Sequence, residues 1–132
     1  MNIGYIRNIN GDPKKEKIAR LMRESGIDER RVFIDTGLPE RYVMWRDKGG
    51  IREGDVLYID SLGSLGNSYA EIIFEWNYIT NNLQTDIVLF GYEEVIDTRK
   101  FKAMGDAGKY IGDQFLYLLA FMAAKEKELH GY

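Results

Sequence analysis

Eleven consecutive residues, Gln114 to Ala124, carry no charge, and within them the run FLYLLAFMAA is apolar on every face of a helix rather than along one stripe. A helix written this way has to be covered on all sides. It is too short to cross a bilayer, which takes roughly 18 apolar residues or more. It therefore belongs in a core or at an interface. With 132 residues the chain is read as one domain, 1–132, with a single core. In so small a domain one side of a terminal helix can pack on its own sheet, while little remains to cover the other, and a second subunit is the expected lid. The expected contact residues are Phe115, Leu118, Leu119 and Met122, in a homodimer or higher homo-oligomer.

Upstream of that helix the pattern alternates. Ile3, Tyr5 and Ile9 alternate with smaller or polar neighbours and predict a first strand that delivers Arg7 near its end. Asp12-Pro13 reads as an N-cap followed by proline at the first helical position, and a basic helix runs from there to Ser25-Gly26. A second strand is expected over Val32 to Asp35, then a loop with Gly37 and Pro39 and a short amphipathic turn around Trp45 that stops at Gly49-Gly50. The third strand is expected over Val56 to Asp60. Ser68 and Glu71 have the spacing of a capping box, opening a helix whose Ile72, Ile73, Trp76 and Ile79 face a core. A fourth strand follows over Ile87 to Phe90, then a loop rich in charge and glycine, and the last helix from about Ile111. Strands separated by helices imply an α/β domain with a mostly parallel sheet of four to five strands, covered by helices.

Composition narrows the chemistry. There is no cysteine, which removes disulfides, zinc-thiolate sites and thiol catalysis and fits a reducing compartment. The net charge of -3 gives the whole chain no pull towards a polyanion, so any nucleic-acid contact is local or borrowed from a partner. No basic segment leads a hydrophobic stretch at the N-terminus, and the expected location is cytoplasmic.

Arg7 at a strand end wants an anion, because strand ends in α/β domains collect binding and catalytic groups. Three separated stretches extend that hint. GYIR at the start, REGDVLYIDSLGSLGNS in the middle and EEVIDT followed by AAKEKEL near the end resemble, in order and spacing, the catalytic domain of serine recombinases, the resolvase and DNA-invertase family. The resemblance covers nearly the whole chain. It implies a four-stranded parallel core and a long C-terminal helix that forms the dimer interface and meets DNA.

Residue by residue, the chemistry implied by the resemblance is missing. The family's first strand reads Gly-Tyr-x-Arg-x-Ser, with the serine attacking a DNA phosphate; Gly4, Tyr5 and Arg7 match, and the serine position holds Ile9. The family's Leu-Asp-Arg-Leu-Gly-Arg motif, whose arginines neutralise that phosphate, corresponds to Leu62, Gly63, Ser64, Leu65, Gly66 and Asn67. Both guanidinium groups are gone, and Ser64 and Asn67 offer neutral hydrogen bonds only. A further family arginine lies in the loop after the second strand, where Arg41 and Arg46 are both near and neither is singled out. Lys127 matches a basic position of the family's DNA-contacting helix and is a weak DNA-binding candidate. No helix-turn-helix domain follows it in this sequence.

Two functions follow as expectations. The first is a recombinase-like domain unable to cleave DNA, dimerising through its last helix as an assembly or regulatory module in DNA recombination, without a cofactor; DNA and an active recombinase relative are its candidate partners. The second is an α/β enzyme in which Asp35 and Asp60, both finishing strands, hold Mg²⁺ for phosphate chemistry beside Arg7.

Overall fold

Four short strands, β1 (Asn2–Arg7), β2 (Val32–Asp35), β3 (Val56–Ile59) and β4 (Asp86–Leu89), pair only in parallel, in the order β2-β1-β3-β4. The computed structural model describes residues 1–8, 11–36 and 40–130, apart from the side chains of Glu40, Arg41 and His130. Ile9, Gly37 and Pro39 lie outside the described residues.

A parallel sheet has to be covered on both faces, and the alternation along β1 shows how. Ile3 and Tyr5 enter the main core, while Ile6 points the other way into a smaller one. The smaller core is made by α1 (Pro13–Glu24), which brings Ala19 and Met22 against Ile6 and Val32. Asp12 caps α1 as the sequence predicts, its side chain accepting from the Lys14 N–H at 2.9 Å. The opposite face is covered by α2 (Glu40–Asp47), α3 (Tyr69–Asn77) and α5 (Gly105–His130) around Leu57, Ile59, Ile72, Ile79, Ile87 and Leu116. At α3 the capping box closes differently from its usual form. Ser68 Oγ accepts from the Glu71 N–H at 3.2 Å, but the Glu71 carboxylate reaches back to the N–H of Asn67, at 2.6 Å, rather than to that of Ser68. The helical chain then widens into a π turn over Tyr78–Asn82 before β4.

The sheet has four strands, within the expected four to five, and the segment after β4 adds only an antiparallel bridge between Val88 and Asp97. The departure from the expectation lies at 98–110. Charge and glycine there suggest a loop, yet a short helix α4 (Thr98–Ala103) forms and α5 begins at Gly105, six residues before Ile111. The glycines are contact points. A Cβ on Gly108 would lie 1.9 Å from the Phe101 carbonyl oxygen, and one on Gly112 would lie 2.8 Å from the Phe101 ring. Small residues let α4 and α5 touch, and spacing along one helix cannot show this.

α5 packs against α3, α4 and the turn Leu62–Ser64. Leu116 and Ala120 are buried there, and Leu119 and Ala123 are partly buried against the main core. The opposite side keeps Tyr117, Leu118, Phe121 and Met122 more than two-fifths exposed. The uncharged run is thus covered on one side only within the chain. Among the described residues no helix is long and apolar enough to cross a membrane.

Gly108→Ala puts helix propensity against packing. Alanine gains about 1 kcal/mol in a helix interior, but overpacking against a backbone carbonyl that cannot rotate away costs about 1–3 kcal/mol or more. Packing wins, so the urea midpoint is expected to fall, with an unchanged slope.

Candidate functional site

In the order β2-β1-β3-β4 the chain leaves β1 towards one edge and returns at β3 on the other side. The connection after β1 leads to α1 on one face, and the connection after β3 leads to α3 on the other. Their divergence opens a crevice at the C-terminal ends of β1 and β3, the usual ligand position in open α/β sheets. Arg7 ends β1 at that point. Asp60 to Asn67 make the turn after β3.

Arg7 is only 8% exposed, so its charge is held out of water and its polar atoms need partners. The turn supplies them. Ser64 Oγ accepts from the Arg7 backbone N–H at 3.2 Å, and Asn67 Oδ1 accepts from Arg7 Nη1 at 3.2 Å. Arg7 Nε is buried without a hydrogen-bond partner among the described residues. Ser64 also donates to Asp60 Oδ1 at 2.6 Å, which pegs the turn to the strand end. Ser64 is only 1% exposed and lines the cleft, its hydroxyl engaged by both the Arg7 N–H and Asp60.

Two lysines from other elements complete the cleft. Lys15, in the first turn of α1, pairs with Asp60, whose side chain is almost wholly buried. Lys127, near the end of α5, donates to Gly63 O at 2.6 Å, Gly66 O at 2.7 Å and Asn67 Oδ1 at 3.3 Å. Burial, followed by the charge of Arg7, brings the Lys127 ammonium down to about 8. The cleft between these groups has a volume of about 490 Å³ and is lined also by Asn8, Lys14 and Glu126. Across the Arg7–Asn67 contact a second cleft of about 530 Å³ is lined by Tyr42, Arg46, Leu65 and Phe74.

The other predicted residues fall as follows. Ile9 and the Arg41 side chain lie outside the described residues. Arg46 lines the second cleft and forks both Glu75 carboxylate oxygens, at 2.5 and 2.6 Å. Tyr42 donates to the same carboxylate at 2.8 Å, and burial pushes its phenol well up. Asp35 accepts from the Tyr5 hydroxyl at 3.0 Å and from the Tyr42 N–H at 3.2 Å. Asp35 and Asp60 lie on opposite sides of β1, two strand spacings or roughly 10 Å apart. The structure does not bring them together. No cluster of three or more His, Cys, Asp or Glu side chains able to hold a metal occurs among the described residues. Of the expected contact residues on α5, Leu118 and Met122 are outward, Phe115 is about one-third exposed and stacks on Phe101, and Leu119 turns partly inward.

Sequence reasoning missed Lys15 and Glu75. Lys15 reads as one of several cations on a solvated helix face. The available signal was its position, since a cation in a helix's first turn opposes the macrodipole and wants a carboxylate nearby. Glu75 has no local signal; its partners come from a helix 29 residues away in sequence. No protein-family profile matches this chain, and no curated protein sequence matches it.

Glu75→Ala removes the common acceptor of Arg46 and Tyr42. Breaking a largely buried pair from one side costs about 3 kcal/mol, because the remaining charge is left uncompensated. Urea unfolding is expected to show a loss of that size, and Glu75→Gln, which keeps one acceptor oxygen, a smaller one.

Proposed function

We propose that this chain is a serine-recombinase-like catalytic domain that does not cleave DNA and acts as a dimerising assembly or regulatory module in DNA recombination. The observation that carries the reading is the crevice at the end of β1, where a buried arginine is met by uncharged side chains only from the turn that would hold two arginines in the family. Ser64 and Asn67 are both engaged in holding Arg7. The position two residues after Arg7 is an isoleucine, and an alkyl group cannot attack phosphorus. Loss of a nucleophile alone costs on the order of a millionfold in turnover.

The assembly half of the proposal is supported by the outward side of α5. Leu118, Phe121 and Met122 lie within five residues and are each more than half exposed, with Tyr117 beside them. Covering a large apolar side chain contributes about 1.5–3 kcal/mol, and a two-fold contact counts each one twice. A few such residues suffice against an association entropy of about 4–15 kcal/mol. The partner in this reading is a second copy of the chain, or an active recombinase carrying a matching helix. Contact with DNA would fall on the cationic cleft and would weaken with salt.

Two outcomes test the proposal. Incubation with supercoiled plasmid is expected to give no covalent protein–DNA adduct and no relaxation, and Ile9→Ser alone is expected to give none either, because the cationic clamp is still absent. An adduct that vanishes on mutating Ser64 would overturn the reading. In sedimentation at micromolar concentration the unmodified chain is expected to run as a dimer or larger. Met122→Glu, which would bury an unpaired charge at the seam, is expected to run as a monomer or precipitate. A well-folded monomer of the unmodified chain would refute the assembly half.

A further inference from the structure

We propose that the cleft at the end of β1 takes a phosphate monoester carried on a small molecule, which enters phosphate first and compensates the charge of Arg7. That arginine is the reason to expect an anion. It is almost wholly buried, and among the described residues it has no ion pair. Nearby carboxylates are engaged elsewhere: Asp60 by Lys15 and Ser64, Glu71 by the Asn67 N–H, Glu75 by Arg46 and Tyr42. The bond from Arg7 Nη1 to Asn67 goes to a neutral carboxamide. A buried charge without a counter-charge is costly, and here it lines a cavity of about 490 Å³, a size that suits a small molecule.

The rest of the lining fits the same ligand. Lys14, Lys15 and Lys127 join Arg7 there, against the carboxylates of Asp12 and Glu126. Lys15 already holds Asp60, Lys127 holds the Gly63 and Gly66 carbonyls, and Asp12 caps α1, while Glu126 is exposed and stays hydrated. Lys14 is exposed and has no ion pair among the described residues, so its ammonium is available at the rim. The first-turn amides of α1 are not available, because the N–H groups of Lys14 and Lys15 both donate to Asp12. Side chains, not the helix end, hold the anion. Gly63 keeps the space clear: a Cβ there would stand 3.3 Å from Lys127 Cε, 3.6 Å from Ser61 Oγ and 3.9 Å from Ala123 Cβ, all three on cleft-lining residues. The depth of Arg7 sets the number of ester arms. A monoester, with a charge of about -1.5 to -2 near pH 7, leaves one arm in the mouth. A diester within a duplex has two and is stopped at the rim. Arg7 Nε lies too deep to bond the anion itself and responds to it through the guanidinium charge. The assignment is independent of the recombinase reading and of what covers α5.

The test uses the full chain labelled with nitrogen-15 and follows the Arg7 Nε–H resonance, assigned through bonds from the Arg7 backbone. Ribose 5-phosphate and inorganic phosphate are expected to shift it saturably, while ribose, dimethyl phosphate and a DNA duplex without terminal phosphates leave it in place. Lys14→Glu, at an exposed position that the fold does not need, is expected to raise the Kd for ribose 5-phosphate roughly tenfold. Gly63→Val, which fills the cleft without changing a charge, is expected to abolish saturation. Absence of a shift with ribose 5-phosphate would overturn the proposal, and so would a Kd unchanged in Lys14→Glu. Dimethyl phosphate or the duplex binding as tightly as ribose 5-phosphate would overturn it too and leave the recombinase reading standing. A covalent protein–DNA adduct would refute that reading and not this one.

Discussion

The burial of Arg7 is the constraint on which the rest of the site depends. A guanidinium taken out of water at the end of a central strand needs partners wherever its donors point, and it cannot shed its charge. The turn after β3 answers the guanidinium with the Asn67 carboxamide and the Arg7 backbone N–H with the Ser64 hydroxyl, and each has a second duty: Ser64 also holds Asp60, and Asn67 also receives Lys127. Asp60 in turn brings Lys15 across from α1. The strand end, the turn, the first helix and the last helix are therefore joined through one polar chain. This connectivity places Ser64, almost without exposure, between the end of β1 and Asp60.

A second polar network runs beside the first and has a different role. Tyr5 stacks on Tyr42 at 4.5 Å between ring centroids, Asp35 ties both of them to β2, and Glu75 joins Tyr42 to Arg46. The Arg46 guanidinium also lies over the Tyr78 ring at 5.0 Å. Arg46 is thus committed to α3. Asp35 is occupied by the same network, and Asp60 by Lys15 and Ser64. The two carboxylates serve separate networks on either side of β1, so no observation favours the Mg²⁺ enzyme as a second reading.

α5 links the site to the outside of the molecule. Its inward residues, Leu116 and Ala120, complete the main core, its end carries Lys127 to the cleft, and its outward residues present the apolar side on which the assembly proposal rests. A partner on the outward side and a ligand in the cleft would therefore act on one rigid rod.

How much of this was legible in the sequence depends on range. The first helix with its Asp12 cap, the second strand, the cap of α3 and the core face Ile72, Trp76 and Ile79 follow from local chemistry, because caps and periodicity act over a few residues. The charge and glycine of 98–110 mislead for a physical reason: a glycine that permits a turn and a glycine that permits helix contact are the same letter, and only the 1.9 Å approach of Phe101 O to a Cβ on Gly108 tells them apart. By itself the sequence determined the strand–helix alternation, the absence of thiol chemistry, the placement of Arg7 at a strand end and the absence of a hydroxyl two residues beyond it. Tertiary structure alone decided that β1 would be central, that Lys15 and Lys127 would converge on the turn after β3, and that Glu75 would hold Arg46. Those contacts join residues 29 to 64 positions apart, and which distant groups meet is set by the order of strands in the sheet, which no local propensity encodes.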